Sequence, residues 1–381
     1  MTYSPQTQEA VSLLKRLIAT PSVSRDEGAA ANLIFSFLQE KGAHPQRLGN
    51  NVWALSEPFD PTRPTILLNA HIDTVKPVSG WQRDPFTPML EGERLYGLGA
   101  NDCSGGLVSL LETFIAPLQL PPTGREPQPA NLATQTPNGS APLPLSGGVG
   151  GGHNLVFLAS AEEEVSGGSG IESVRDLLPK IDFAIVGEPT GMQPAIAEKG
   201  LMVVDAVAHG RAGHAARNEG VNAIDIAIAD IQRLKELEWK TSPLLGPVKT
   251  TVTIISAGTQ HNVIPDTCQF TIDVRSNELY RNEEIFAILQ QNLQSELKAR
   301  SFRLSSSSIA LDHPFVQHCI ARGMKPFGSP TLSDQALMPW PSLKLGPGDS
   351  ARSHTADEYI LLSEIDEAIR TYAELLALHA Y

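Results

Sequence analysis

Short runs of consecutive apolar residues, each ending on an imidazole or a carboxylate, constrain this chain more than any other feature. Thr65-Ile66-Leu67-Leu68 runs out into Asn69-Ala70-His71, Asn154-Leu155-Val156-Phe157-Leu158-Ala159 into Glu162-Glu163-Glu164, and Phe183-Ala184-Ile185-Val186 into Gly187-Glu188. None shows helical spacing and none alternates, which is the pattern of strands buried on both faces of a parallel sheet. Leu95-Tyr96-Gly97-Leu98-Gly99 leads in the same way to Asp102, and Ser342-Leu343-Lys344-Leu345 leads through Gly346-Pro347-Gly348 to His354. In an open parallel sheet the carboxyl ends of the strands line one crevice, where ligands bind. The chain is therefore expected to be α/β, a mostly parallel sheet flanked by helices, with its chemistry gathered at one edge.

Helical spacing separates these runs. Thr7 to Ile18 carries apolar residues at helical intervals and is closed by Pro21; a second helix is expected from Ser24, with Asp26 and Glu27 in its first turn facing the helix dipole, to Gly42. A third follows Gly105. Residues 117 to 153 are crowded with proline, glycine, threonine and asparagine and read as a long flexible insertion. From Leu201 the pattern becomes that of a small α+β unit: strands at Leu201 to His209, Thr250 to Ala257 and Cys268 to Arg275, helices at Val221 to Leu237 and Asn282 to Ala299, and a closing strand at Ser301 to Leu304. The expected domains are residues 1–195 and 306–381 together, with 196–305 inserted between them. A final helix is expected from Ser363 to about Leu378.

With 381 residues, of which 41% are hydrophobic, the chain can build two proper cores. Its formal charge of −13 without a strong basic block argues against nucleic acid and anionic membranes as partners. No apolar stretch reaches the length of a membrane span, and Met1-Thr2-Tyr3-Ser4-Pro5 lacks the regions of a signal peptide, so a cytoplasmic protein is expected. Cys103, Cys268 and Cys319 are far apart and odd in number, which fits neither a disulfide framework nor a thiolate zinc site. Imidazole and carboxylate without thiolate suit a catalytic site for zinc, cobalt or manganese. With one carboxylate shared, five such groups can hold two ions and leave positions open for water and substrate. Asp73, two residues beyond His71, is placed to fix the imidazole tautomer rather than to ligate.

The ordered set His71-Ile72-Asp73-Thr74-Val75, Gly80-Trp81, Asp84-Pro85-Phe86, Leu95 to Asp102, Ala161-Glu162-Glu163-Glu164, Gly187-Glu188-Pro189-Thr190, Gly210 to Ala216, Asn262 to Asp266 and the Gly346 to His354 loop covers nearly the whole chain outside the insertion. In that combination it resembles the dinuclear zinc amidohydrolases and peptidases, a family that includes acetylornithine deacetylase, succinyl-diaminopimelate desuccinylase, aminoacylase and carboxypeptidase G. The resemblance implies a zinc-peptidase-like catalytic domain with an inserted lid and dimerisation domain, and hydrolysis of the amide of a small N-acylated amino acid. It also implies two divalent ions, zinc or cobalt, held by His71, Glu188, Glu164 and His354 and bridged by Asp102. Glu163 becomes the general base, with Asp73 supporting His71; Glu162 as base and Glu163 as ligand is the alternative register.

His214 is implied to reach the substrate's developing oxyanion, often from a partner subunit, with Arg275 on a substrate carboxylate and Asn262 beside it; a homodimer through the lid follows. Where the family has methionine and lysine after the bridging aspartate, this chain has Cys103 and Ser104, and a non-proline cis peptide after Asp102 is implied. From a different class, the same scaffold can serve as a catalytically silent binding protein.

Overall fold

The structure, a computed structural model, describes residues 3–116, 152–217 and 219–376. The insertion expected at 117 to 153 falls almost wholly outside the described residues, as do Met1, Thr2 and the chain beyond Leu376. In chain order the main elements are α1 (Pro5–Ile18), α2 (Gly28–Glu40), β1 (Gln46–Leu48), β2 (Asn51–Leu55), β3 (Thr65–His71), β4 (Met89–Glu91), β5 (Arg94–Tyr96), α3 (Gly105–Ile115), β6 (Asn154–Ser160) and β7 (Phe183–Val186). They continue with β8 (Met202–His209), α4 (Ala223–Glu236), β9 (Lys249–Ala257), β10 (Thr267–Arg275), α5 (Asn282–Asn292), β11 (Glu296–Ala299), α6 (Pro314–Ala321), β12 (Ser342–Lys344), β13 (Tyr359–Leu361) and α7 (Leu362–Leu375). Two compact units result, one of Met1–Ala195, Ala310–Pro326 and Pro339–Tyr381, the other of Ile196–Ile309 and Phe327–Met338.

In the first unit the apolar runs pair as their composition demands. The sheet runs β1-β2-β6-β3-β7-β12, with β6, β3, β7 and β12 parallel and β1 and β2 antiparallel at the edge. Every residue of β3, β6 and β7 is buried, so both faces are covered and alternation would have left polar side chains in the core. All eleven residues of α3 are buried too; it packs on β3 and β6 and is covered by α1 and α7, which explains why Gly105 to Ile115 is mostly apolar, with Ser109, Glu112 and Thr113 as its buried polar residues. A small antiparallel sheet, β4-β5-β13, brings the stretch after His354 beside the stretch before Asp102.

Two expectations are corrected here. Helix α2 starts at Gly28, and neither Ser24 nor Asp26 caps it. Ser24 instead donates its hydroxyl to Asp73 Oδ2 at 2.7 Å, and Glu27 is fully buried with its carboxylate spent on backbone and side-chain donors.

The second unit is a four-stranded antiparallel sheet in the order β9-β10-β8-β11, with α4 packed on its strands and α5 packed on α4 and β11. β8 alternates buried and half-buried residues, as expected of a sheet with one covered face. Asn222 caps α4 by accepting the Ile224 N–H at 3.0 Å. The helix expected to run to Ala299 stops at Asn292. Buried Asp230 captures the N–H groups of Gln294 and Ser295 at 2.9 and 2.8 Å, turning the chain into β11, which pairs with β8. β11 is thus the fourth strand, where Ser301 to Leu304 had been expected. Among the described residues no helix is long and apolar enough to cross a membrane.

Candidate metal centre

The carboxyl ends of the parallel strands deliver the first groups. His71 is the last residue of β3 and is 1% exposed. Its Nδ1 lies 2.8 Å from the main-chain oxygen of Asp73 and 3.5 Å from Asp73 Oδ1. The carbonyl is therefore the nearer anchor of the tautomer, and the Asp73 carboxylate, expected to do this work, stands farther off and also serves a second purpose. Its Oδ1 accepts the Glu163 N–H at 3.0 Å and its Oδ2 the Glu164 N–H at 3.1 Å, beside the Ser24 hydroxyl.

That leaves His71 Nε2 facing the crevice, 3.4 Å from Asp102 Oδ1, 3.7 Å from Glu188 Oε1 and 3.9 Å from Glu163 Oε2. On the other side His354 Nε2 lies 2.9 Å from Glu164 Oε2 and 3.6 Å from Asp102 Oδ2. The two oxygens of Asp102 thus face two different imidazoles. The structure brings His71, Asp102, Glu163, Glu164, Glu188 and His354 to one place within the first unit. Glu162 points elsewhere, its Oε2 accepting the Ser169 N–H at 3.4 Å.

Two turns present the carboxylates. Gly99 holds φ +74°, and a Cβ there would meet Thr74 Cγ2 at 2.7 Å, so the approach to Asp102 requires glycine. The Asp102–Cys103 peptide is cis. The Glu162 backbone is left-handed, φ 54°, and the run around it is tied by side chains: Ala161 N–H to Asn51 Oδ1 at 2.9 Å and Glu162 N–H to Glu27 Oε1 at 3.2 Å, followed by the two bonds to Asp73. Sequence reasoning missed Glu27, Asn51, Asn101 and Glu358. Glu358 was open to discovery as the acid between His354 and the apolar run Tyr359-Ile360-Leu361.

The electrostatics show what the donor set accommodates. Burial, and then the like charge of Asp102, push Glu188 up to about 8, and its Oε1, shielded from solvent, has no hydrogen-bond partner among the described residues. The hydrogen bond to Glu164 raises His354 to about 9. Burial opposes charge on His71, yet Cys103, Asp102 and Asp73 together raise it well above its ordinary value. Burial likewise opposes ionisation of Asp102, and the His71 hydrogen bond and charge hold it low. Glu358 rises to about 7 through burial and Asp102.

By themselves these side chains reach charge balance only by holding extra protons, which is the condition that divalent cations relieve. Geometry agrees: ligand atoms of His71, Asp102 and Glu164 lie within 4.8 Å of one another, as do those of His71, Cys103 and Glu188. Cys103, which stands after Asp102 where the family has methionine, lies at the site. Its thiol is 1% exposed, sits 3.6 Å from the His71 carbonyl as a donor, and burial pushes its pKa strongly up, so it is no nucleophile.

The remaining candidates belong to the second unit. His214 is exposed in a two-residue strand opposite Val263, its Nδ1 accepting the Ala216 N–H at 3.1 Å. Asn262 is exposed, and its carbonyl accepts the Ala215 N–H at 3.0 Å. Arg275 ends β10 and forks onto Asp273 at 2.9 and 3.1 Å, so it already has a carboxylate partner.

A layered α/β unit whose strand ends gather two imidazoles and several carboxylates, joined to a small α+β unit, defines a class. Residues 67–124 match the model of peptidase family M20/M25/M40 and residues 196–301 that of the peptidase dimerisation domain. Both matches are to peptidase models, and the chain is similar over both units to M20 hydrolases that act on amide bonds. It is similar to an acetylornithine deacetylase from Photorhabdus laumondii, 25% identical over 96% of each chain. It is also similar to a succinyl-diaminopimelate desuccinylase from Wolbachia pipientis, 25% identical over 78% of this chain and 72% of that one. Its fold is that of a dinuclear metal binding peptidase of the M20 family from Bacillus subtilis, at a TM-score of 0.67, 16% identity and 98% coverage of both chains.

Proposed function

We propose that the chain is a cytoplasmic, two-metal deacylase that removes a small acyl group from the α-amine of an amino acid, with N-acetylornithine, and hence arginine biosynthesis, as the foremost assignment. His71 and Glu188 would hold one ion, Glu164 and His354 the other, with Asp102 shared between them. Bound there, zinc or cobalt would polarise the amide carbonyl and lower the pKa of a water molecule. Glu163 is the general base: its carboxylate takes a proton from the attacking water as oxygen adds to the amide carbon, and delivers it to the amine as the C–N bond breaks.

The observation that carries this reading is the split of the glutamate run by Asp73. Its two oxygens hold the neighbouring N–H groups of Glu163 and Glu164, whose carboxylates lie 3.9 Å from His71 and 2.9 Å from His354, while Glu162 turns away. That supports Glu163 as base and Glu164 as ligand over the alternative register. His214 is assigned to the developing oxyanion, from the partner subunit of a homodimer built through the dimerisation domain. Arg275 and Asn262 are assigned to the substrate's polar end; for Arg275 this means exchanging Asp273 for a substrate carboxylate.

Desuccinylation of succinyl-diaminopimelate, or another peptidase activity of the family, is the nearest alternative, since it asks the same of these residues. The test is a competition among N-acetylornithine, N-acetylcitrulline, N-succinyl-ornithine and N-succinyl-diaminopimelate, read as kcat/KM ratios. Preference for the acetylated ornithine is expected; preference for a succinylated substrate moves the assignment to the rival.

A further inference from the structure

The turn that presents Asp102 is held from behind by a stretch far along the chain. Glu358 is 2% exposed and directly precedes β13. Its Oε1 accepts the N–H groups of Asn101 at 2.8 Å and Asp102 at 3.0 Å, and its Oε2 accepts that of Gly99 at 3.1 Å. The residue itself is locked, because Gly97 N–H donates to the Glu358 carbonyl at 3.0 Å and Tyr359 and Ile360 pair with Tyr96 and Leu95. From the other side the Asn101 amide donates to the Asp349 carbonyl at 3.0 Å and to Ser353 Oγ at 3.3 Å, and accepts the Asp349 N–H at 3.0 Å. The stretch from Asp349 to Glu358 also carries His354. One piece of backbone therefore sets both the shared carboxylate and one of the two imidazoles that face it.

We propose that Glu358 is a positioning residue of the metal centre, acting through Asp102 on both ions at once. The inference rests on the two-metal reading above and extends it to a residue that touches neither ion. A carboxylate suits the task because three convergent N–H donors are best met by an acceptor-only anion. Its fully buried place is tolerable because those donors replace water. Glutamine keeps the shape but turns an NH2 group toward at least one of the donors, so the turn loses its fixed aim.

The test is stepwise zinc titration of chelator-treated full-length protein against a competing indicator, with circular dichroism and melting temperature recorded on the metal-free form. Wild type is expected to bind two equivalents. Glu358→Gln is expected to weaken both equivalents together, ten-fold or more, in line with the roughly 10- to 100-fold effects of groups that orient metal ligands. Glu112→Gln, which removes an equally buried carboxylate from the middle of α3, is expected to bind both equivalents as wild type does.

Unchanged binding by folded Glu358→Gln overturns the inference, as does weakening of one equivalent alone or equal weakening by Glu112→Gln. If Glu358→Gln does not fold, Asn101→Ala carries the test, since it removes the opposite side of the same clamp; joint weakening supports the inference and unchanged binding overturns it. A wild type that binds no zinc overturns the two-metal reading and this inference with it. Intact wild-type binding with unaffected variants overturns this inference alone.

Discussion

The turn at Ala161–Glu164 and the turn at Gly99–Asp102 aim carboxylates at the same crevice but are secured differently. The first gives four successive N–H groups to three separate side chains, Asn51, Glu27 and Asp73. The second gives three N–H groups to a single carboxylate, Glu358. In the first, no one partner holds the whole turn, and the carboxylates it aims can be assigned separately to proton transfer and to ligation. In the second, one partner accepts all three N–H groups, and the carboxylate it aims is the one proposed to be shared by both ions.

The comparison breaks at its strongest point if Glu163 and Glu164 are interchangeable. Glu163→Ala is expected to lower kcat by about 10²–10⁴, the usual worth of a positioned acid–base group, while zinc content stays at two per chain. Glu164→Ala is expected to lose metal instead. Loss of zinc from Glu163→Ala would move the register by one residue.

Asp73→Asn is the next largest. Its new NH2 group faces one of two backbone donors, so activity or metal affinity should fall by about 10- to 100-fold, read as kcat/KM and zinc content side by side. Glu27→Gln should do less to activity, because Asn51 and Asp73 still hold the turn; its cost is expected mainly in stability, about 1–3 kcal/mol for the strained or lost buried hydrogen bonds, measured by urea unfolding.

The smallest expected effect on catalysis is that of Glu112→Gln, the counter-example of a buried carboxylate with no hydrogen-bond partner on either oxygen among the described residues. Burial, and then the charge of Glu9, push Glu112 up to about 8, above the ordinary 4.5. The folded state holds this proton more tightly than the unfolded chain. Its contribution is therefore complete below about pH 4.5 and is lost as pH rises through about 8. Glu112→Gln should remove that slope and leave the variant the more stable of the two above pH 8, in melting temperatures taken from pH 5 to 9.

The fold was legible where burial is uniform. Thr65 to His71, Asn154 to Ser160 and Phe183 to Val186 lie in the sheet with both faces covered, and a continuous apolar run is the direct signature of that environment. The ligating types were legible because they end those runs. What was not legible is how the turns are held. Ser24, Asp26 and Glu27 read as a helix start because local spacing favours it, yet Ser24 and Glu27 are taken by Asp73 and Glu162, partners far along the chain. The strand at Glu296–Ala299 looked like the end of a helix for the same reason, since Asp230 decides where the helix stops. Glu358 serves a turn more than 250 positions earlier, and spacing along the chain carries no trace of such a bond.

The central claim is that these residues form a two-metal amide hydrolase. The most direct measurement is N-acetylornithine hydrolysis by the chelator-treated protein during stepwise addition of zinc or cobalt, with bound metal counted at each step. The account predicts no turnover without metal and recovery as the site fills to two ions per chain. A protein that takes up both ions and hydrolyses no acylated amino acid would contradict it and leave a binding scaffold in its place.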